Sequence, residues 1–272
     1  MKVRFWGVRG SIPCPQGSHL RIGGNTSCTS VLTDDAEILL DAGSGLRLAG
    51  KAILQRNQQT NHTLLLTHTH WDHICGFPFF DPAYREHHKI RIVAGHLTKA
   101  GALREVFSEQ MSPMTFPLPL RSLSARVTFD QIQAGSTFTV HGGVVVRTAP
   151  LRHPGGATAY RLESGGRAVC YVTDTEHDPD SLDPTVLEFV RDADLMIYDS
   201  TYDDAEFAAK RGWGHSTWQQ AIRIAQAAGV RRVALFHHDP DHDDAFLEAV
   251  EERAISIFPG AVMAREGMLL EV

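Results

Sequence analysis

The sequence lacks the features that mark extracellular, membrane-spanning and nucleic-acid-coating proteins. Four cysteines, Cys14, Cys28, Cys75 and Cys170, are scattered through 272 residues with no C-x-x-C spacing. They read as reduced and mostly buried, as in a cytoplasmic protein. No apolar run approaches the ~18 residues of a membrane span. The start, Met1-Lys2-Val3-Arg4-Phe5-Trp6-Gly7, has no apolar stretch of the secretory type. A cytoplasmic protein without membrane contact is therefore expected. Lys and Arg number 26 against 32 Asp and Glu, for a formal net charge of −6. No basic face is available for a sequence-independent grip on long nucleic acid. Repeats, linkers and low-complexity tracts are absent. At 43% hydrophobic and 21% charged, the composition excludes disorder, collagen and coiled coil as the main architecture. Length alone suggests about two domains at roughly 150 residues each. Nothing divides the chain, however, so one domain over 1–272 with two similar halves and a boundary near 140 is expected.

Histidine is abundant. There are 15, against 5 Tyr and 4 Trp together, which raises the expectation of a metal site. Short apolar runs predict strands at Val3–Trp6, Ser30–Thr33, Ile38–Leu40, Thr63–Thr67, Ile90–Val93, Thr137–Val140, Val144–Thr148, Ala157–Leu162, Ala168–Thr173, Leu195–Tyr198 and Val233–Phe236. Asp34-Asp35-Ala36-Glu37 and Ser164-Gly165-Gly166 read as hairpin turns. Helices are predicted over Gly45–Gln58, Thr98–Glu109, Pro184–Arg191, Thr217–Ala228 and Asp244–Ala254. Ser216 with Gln219 makes a capping box for the fourth of these, and Gly229 follows as its C-terminal stop. Strands interleaved with helices suggest two sheets face to face with helices outside. Phe77–Asp81 and Met111–Leu120 read as irregular surface loops able to cover a site.

Strand after strand ends in a histidine or an aspartate. Thr63–Thr67 runs into His68-Thr69-His70-Trp71-Asp72-His73. His153 follows Val144–Thr148, Asp174 follows Ala168–Thr173, Asp199 follows Leu195–Tyr198 and His237 follows Val233–Phe236. Strands lying side by side in one sense would bring these groups to one edge. His68 and His70, two apart, face the same way and can share one ion. Asp72 and His73 are offset towards a second. His153 completes the first, His237 the second, and Asp174 bridges with its two oxygens. Imidazoles with carboxylates suit two divalent transition-metal ions, Zn²⁺ or Mn²⁺ with Fe²⁺ also compatible, better than Ca²⁺ or Mg²⁺.

The H-x-H-x-D-H run, His153, Asp174, His237 and Asp41 in Leu39-Leu40-Asp41-Ala42-Gly43 resemble the metallo-β-lactamase superfamily over essentially the whole chain. The resemblance implies an α/β fold, a four-layer αββα sandwich with a two-metal hydrolytic site at one sheet edge. Asp41 resembles the family's buried aspartate that supports the ligands. Gly212-Trp213-Gly214-His215-Ser216-Thr217 resembles the G-H-S-T helix of the phosphodiesterase branch, which holds endoribonuclease Z and smaller cyclic-phosphate diesterases. Tyr198-Asp199-Ser200-Thr201-Tyr202 is similar to its H-E-A-T-F segment, with Asp for Glu. The resemblance implies that Asp199 orients His215. Gly7–Pro13 and Gly23–Cys28 match a bacterial subgroup and are given no role. His87 and His88 read as solvated. His177, His238 and His242 match no ligand position, and His19, His62, His96 and His141 carry no pattern.

These residues imply a dinuclear hydrolase with Asp72, His215 and Asp199 as catalytic groups. Asp72 both ligates and orients the attacking water. His215 stabilises the developing phosphoryl charge or protonates the leaving oxygen. The expected substrate is a small or cyclic nucleotide-type phosphodiester. A thioester or lactone hydrolase of the glyoxalase type needs the same ligands. A tRNA 3′-processing-like ribonuclease and a binding module with a degenerate site are further alternatives. The tRNA enzymes carry an arm commonly inserted between the positions of His153 and Asp174, and the intervening residues here leave no room for one. No long nucleic-acid partner is expected, and a homodimer is compatible with the sequence.

Overall fold

The computed structural model describes residues 1–56 and 60–272. Two seven-stranded sheets pack face to face. The first is built from β1 (Lys2–Gly7), β2 (Cys28–Leu32), β3 (Glu37–Leu40), β4 (Asn61–Leu66), β5 (Lys89–Ala94), β6 (Arg126–Gln131) and β14 (Leu269–Glu271), in the order β14-β1-β2-β3-β4-β5-β6. The second is built from β7 (Thr137–Thr139), β8 (Val145–Leu151), β9 (Ala157–Ser164), β10 (Arg167–Val172), β11 (Leu195–Asp199), β12 (Val233–Phe236) and β13 (Ala261–Met263), in the order β13-β12-β11-β10-β9-β8-β7. The helices are α1 (Leu46–Arg56), α2 (Trp71–Ile74), α3 (Ala102–Gln110), α4 (Pro184–Val190), α5 (Asp204–Phe207), α6 (Trp218–Ala227) and α7 (Asp244–Ile257). None of them is long and apolar enough to cross a membrane. The architecture is the αββα sandwich.

Strand alternation sets the layers. Leu65 of β4 faces the space between the sheets with Leu40, Val93, Tyr160 and Tyr171. Its neighbours Leu64 and Leu66 face the other way, with Leu39, Ile92, Leu46 and Phe107. β4 is therefore apolar on both faces, as a strand paired in parallel to β3 and β5 must be. The parallel runs β3-β4-β5-β6 and β10-β11-β12-β13 point their C-terminal ends at one edge. β8 joins them in sense because two antiparallel pairings, β8 to β9 and β9 to β10, restore its direction.

The expected strands are present with ends moved by a few residues, and both hairpins form. Gly165 and Gly166 hold φ of 58° and 74°, the mirror-image turn that joins β9 to β10 without splaying them. β6, β13 and β14 are additions, as are the single-turn helices α2 and α5. The helix predicted over Gly45–Gln58 is α1; Asn57 and Gln58 lie outside the described residues. The cap of α6 sits one residue beyond its predicted place. Thr217 Oγ1 accepts from the Gln220 N–H at 3.1 Å. The Ser216 hydroxyl instead meets His177 Nδ1 at 2.8 Å. Gly229 does end α6, with φ of 67°. Met111–Leu120 is the irregular, largely exposed segment expected, whereas the loop reading of Phe77–Asp81 needs correction, since two short 3-10 turns run through it. Phe77, Phe80 and Met111 are fully buried under the first sheet, while Phe79 and Met114 stay exposed.

His88 is buried rather than solvated. Its Nδ1 lies 2.8 Å from Nε2 of His62, which is also buried. Burial, with His88 alongside, lowers the His62 pKa to about 4. The folded value is thus below the unfolded one, so this group's stabilisation is complete above pH 6.5 and declines as the pH falls towards 4. Urea denaturation at pH 7 and pH 5 is expected to show the wild type losing about 2 kcal/mol more than His62→Leu between these pH values. Parallel losses in the two proteins would contradict the assignment.

Candidate metal centre and active site

All seven predicted ligands meet at the C-terminal edge of the parallel strands. β4 leads into His68 and His70, and the tight turn of α2 swings Asp72 and His73 back towards the sheet. β8 delivers His153, β10 Asp174 and β12 His237. Two lobes result. In one, His153 Nε2 lies 3.0 Å from His70 Nδ1, and both His68 Nε2 and His153 Nε2 lie 3.7 Å from Asp174 Oδ1. In the other, His73 Nε2 is 3.2 Å from Asp72 Oδ2 and 3.2 Å from Asp174 Oδ2. His237 Nε2 is 3.4 Å from each of the same two oxygens. Asp174 thus presents one oxygen to each lobe.

The donor set fits metal ions, and the hydrogen bonds behind it say why. His73 Nδ1 is held by Asp41 Oδ2 at 2.8 Å, His153 Nδ1 by the Gly214 carbonyl at 2.8 Å and His237 Nδ1 by Thr201 Oγ1 at 3.1 Å. His68 Nδ1 lies 3.0 Å from Thr67 Oγ1. An acceptor at each Nδ1 puts the proton there and leaves a lone pair on Nε2. The Nε2 atoms of His73 and His237 then face each other at 3.3 Å. His68 Nε2 is buried and, among the described residues, has no hydrogen-bond partner. Asp41, Asp72, Asp174 and Asp199 are all buried, and among the described residues their ion pairs are with histidines alone. Buried lone pairs and carboxylates converging in this way are what a cation site requires.

Electrostatics follow from the same packing. Burial alone would raise Asp72 and Asp174, but the imidazoles around them outweigh it and hold both well below the usual carboxylate range. Burial, reinforced by His73, pushes His68 well down into its neutral form, the form that ligates a metal.

Asp199 and His215 are also brought together. His215 Nδ1 lies 3.0 Å from Asp199 Oδ2, and the ring stacks on His237 at 4.9 Å between centroids. Asp199 is fully buried; Thr201 N–H and Oγ1–H donate to its Oδ1 at 3.1 and 2.7 Å, and Thr175 N–H to its Oδ2 at 3.3 Å. Burial disfavours the His215 cation, yet Asp199, with Asp174 and Asp72, outweighs it and lifts the pKa to about 9.

Sequence reasoning missed several supporting groups. Thr67 N–H and Oγ1–H both donate to Asp41 Oδ1, at 2.8 and 3.0 Å, and Tyr171 O–H donates to Oδ2 at 3.0 Å. Glu176 Oε2 accepts from Gly212 and Gly214 N–H at 2.7 and 2.9 Å, fixing the turn whose carbonyl holds His153. Gly10 lies against the His237 ring, and Ser11 N–H donates to Asp72 Oδ2 at 2.8 Å. No spacing rule announces these contacts, because they join segments far apart in sequence.

The chain is similar to known proteins in sequence and fold. The Beta-lactamase superfamily domain matches residues 36–238. Ribonuclease Z of Haloarcula marismortui is 24% identical over 320 residues, covering 98% of this chain and 96% of that protein. That aligned length exceeds the 272 residues of this chain, so the relative carries insertions that this chain lacks. Ribonuclease Z of Parabacteroides distasonis is 28% identical over 142 residues, but the match spans 52% of this chain and only 42% of that protein. Among solved structures, the metallo-beta-lactamase fold protein YhfI from Bacillus subtilis superposes with a TM-score of 0.75 at 22% identity, covering 100% of this chain and 98% of that one. With that domain matched over more than half of the chain and a two-lobed His/Asp cluster at the sheet edge, the chain belongs to the metallo-β-lactamase superfamily.

Proposed function

We propose that the protein hydrolyses a small or cyclic phosphodiester of the nucleotide type, with two divalent transition-metal ions, Zn²⁺ or Mn²⁺, as cofactors. His68, His70, His153 and Asp174 would hold one ion, and Asp72, His73, His237 and Asp174 the other. When bound, the ions supply Lewis acidity and neutralise the buried carboxylates.

The observation that carries the reading is the His215–Asp199 pair. Asp199 holds Nδ1 at 3.0 Å, so Nε2 is the atom free to face substrate. A sugar alkoxide is a poor leaving group and needs a proton, which His215 is placed to give from Nε2. A thiolate, with a pKa near 8.5, leaves without one. A dedicated acid therefore favours a phosphodiester over a thioester. Asp72 Oδ2 is engaged by Ser11 N–H, His73 and His237, which leaves Oδ1 to orient the attacking water.

Substrate size is argued from the chain between His153 and Asp174. β9 and β10 occupy it as a hairpin closed by Gly165 and Gly166, and no arm projects there. The net charge of −6 also disfavours a folded RNA, whose binding rests on phosphate contacts. Exposed Trp71 and Trp213, beside Asp72 and His215 in sequence, offer flat apolar faces for a base. RNA remains the second reading, favoured by the ribonuclease Z relatives. Cyclic mononucleotides, cyclic dinucleotides, a thioester and precursor tRNA assayed side by side separate the classes. Turnover of small diesters is expected. Site-specific cleavage of precursor tRNA with no small-diester turnover would replace this reading with the second.

Protein purified without chelator is expected to carry close to two transition-metal ions per chain by elemental analysis. Fewer than half an ion, with none gained on adding Zn²⁺ or Mn²⁺, would remove the two-metal reading.

A further inference from the structure

Among the described residues, five other than glycine hold a left-handed backbone: Ser11 (φ 61°), Asp41 (59°), Asp174 (59°), Asp192 (53°) and His237 (62°). This region is disfavoured for every side-chain-bearing residue, with Asn, Asp and His the most tolerant. Four of the five touch the site. Asp41, Asp174 and His237 lie just beyond the ends of β3, β10 and β12, and the reversed backbone turns their side chains into the cluster. Strain concentrated in this way points to a task at the strained residue.

Ser11 is the one of the four that is neither aspartate nor histidine. Its segment is firmly held. The buried Arg9 guanidinium donates to the Gly23 carbonyl at 2.8 Å, the His242 carbonyl at 2.6 Å and the Asp239 carbonyl at 3.1 Å. Gly10 N–H donates to the His238 carbonyl at 3.0 Å. A side chain at Gly10 would collide with the His237 imidazole. So anchored, Ser11 aims its N–H at Asp72 Oδ2, 2.8 Å away. Its side chain is exposed, and among the described residues its hydroxyl makes no hydrogen bond. Glycine would hold this backbone and this N–H without strain. The hydroxyl therefore brings a disadvantage that nothing inside the protein offsets, at a point beside the ligand Asp72.

We infer that Ser11 is a substrate-binding residue whose hydroxyl donates a hydrogen bond to a non-bridging phosphoryl oxygen, while its N–H fixes the rotamer of Asp72. The inference rests on the phosphoryl substrate argued above. It assigns a part to the Gly7–Pro13 segment: a rigid wall of the site that carries one polar finger.

Ser11→Gly is the deciding variant, because it deletes the hydroxyl and keeps both the N–H and the left-handed backbone. Three quantities are measured against the wild type: metal content and Tm, kcat/KM on bis-p-nitrophenyl phosphate, and the affinity of the metal-loaded protein for inorganic phosphate by calorimetry. Expected are unchanged metal content, a Tm that does not fall, a drop of about tenfold or more in kcat/KM, and phosphate binding weakened by a similar factor, the scale for losing one hydrogen bond to a charged oxygen. Ser11→Ala is expected to lose as much activity while melting below Ser11→Gly, since it keeps the strain. Activity and phosphate affinity within twofold of wild type in Ser11→Gly would overturn the contact. So would loss of metal in that variant, which would mean that Ser11 acts only through Asp72. A wild type inert towards every diester, whose phosphate affinity still falls in Ser11→Gly, would sink the diesterase reading and uphold the contact. An active wild type with an unaltered Ser11→Gly would do the reverse.

Discussion

Asp41→Ala is expected to lose on the order of 4 kcal/mol of stability, the scale for removing one partner from a buried charged network. The carboxylate is fully buried and accepts from Thr67 N–H, Thr67 Oγ1–H, His73 Nδ1–H and Tyr171 O–H. Alanine leaves those donors facing one another with no acceptor, and each orphaned donor costs about 1–3 kcal/mol. It must also hold the φ of 59° that Asp41 adopts, a region that aspartate tolerates better than alanine. For a chain of this size the sum corresponds to a Tm lower by roughly 10 °C. Metal affinity is expected to fall about 10–100-fold as well, because His73 loses the group that fixes its tautomer. Asp41→Asn separates the two effects. Its carbonyl can still serve Thr67, so most stability returns. Its amide, however, presents a donor to His73 Nδ1, which drives the imidazole proton to Nε2, where the ion would bind. Calorimetry with elemental analysis reads both. An Asp41→Ala protein that melts within 2 °C of wild type and keeps two ions would show that the network is dispensable.

The cluster at the sheet edge was legible in the sequence because metal chemistry confines the choice of residue. His68, His70, Asp72 and His73 lie in one run after an apolar strand, and His153, Asp174 and His237 each follow another. A parallel sheet turns that repeated position into spatial convergence. What could not be read was the backbone at the strand ends. Nothing in Leu40-Asp41-Ala42 or Phe236-His237-His238 announces a left-handed residue, since the conformation is imposed by tertiary hydrogen bonds. The three missed strands fail the apolar-run test for a related reason. β6 is a half-exposed edge strand, Arg126-Val127-Thr128-Phe129-Asp130-Gln131, paired with β5 alone among the described residues. β13 and β14 have three residues each and are held by strands distant in sequence.

Local signals misled where two residues satisfied one rule. Ser216 with Gln219 and Thr217 with Gln220 both fit a helix start. Tertiary context decides, because His177 takes the Ser216 hydroxyl and leaves Thr217 to cap. His88 shows the opposite failure. A polar run suggests solvent, but the start of β5 pairs beside β4 and closes His88 against His62. In both places the deciding partner lies more than 20 residues away, beyond the reach of any pattern of neighbours.

His215→Ala is expected to lower kcat by about 10²–10³-fold, with metal content and Tm near wild type, the scale for losing a general acid or a charge-stabilising donor. None of the contacts that hold the imidazoles in their ligand tautomers involves His215. Asp199 keeps its three donors from Thr201 and Thr175 when the imidazole is removed, so it is not left bare. The deletion therefore isolates chemistry from folding, which Asp199→Ala would not. The leaving group decides what His215 does. A ribose alkoxide needs a proton as its bond to phosphorus breaks, whereas p-nitrophenolate departs without one. If His215 is the acid, His215→Ala loses its full factor on a cyclic nucleotide and much less on bis-p-nitrophenyl phosphate. If it acts instead by stabilising phosphoryl charge, both substrates slow equally, since both develop the same charge on the non-bridging oxygens. A variant that loses an ion on purification would place His215 among the ligands and void the division between binding and catalysis drawn from its 3.0 Å contact with Asp199.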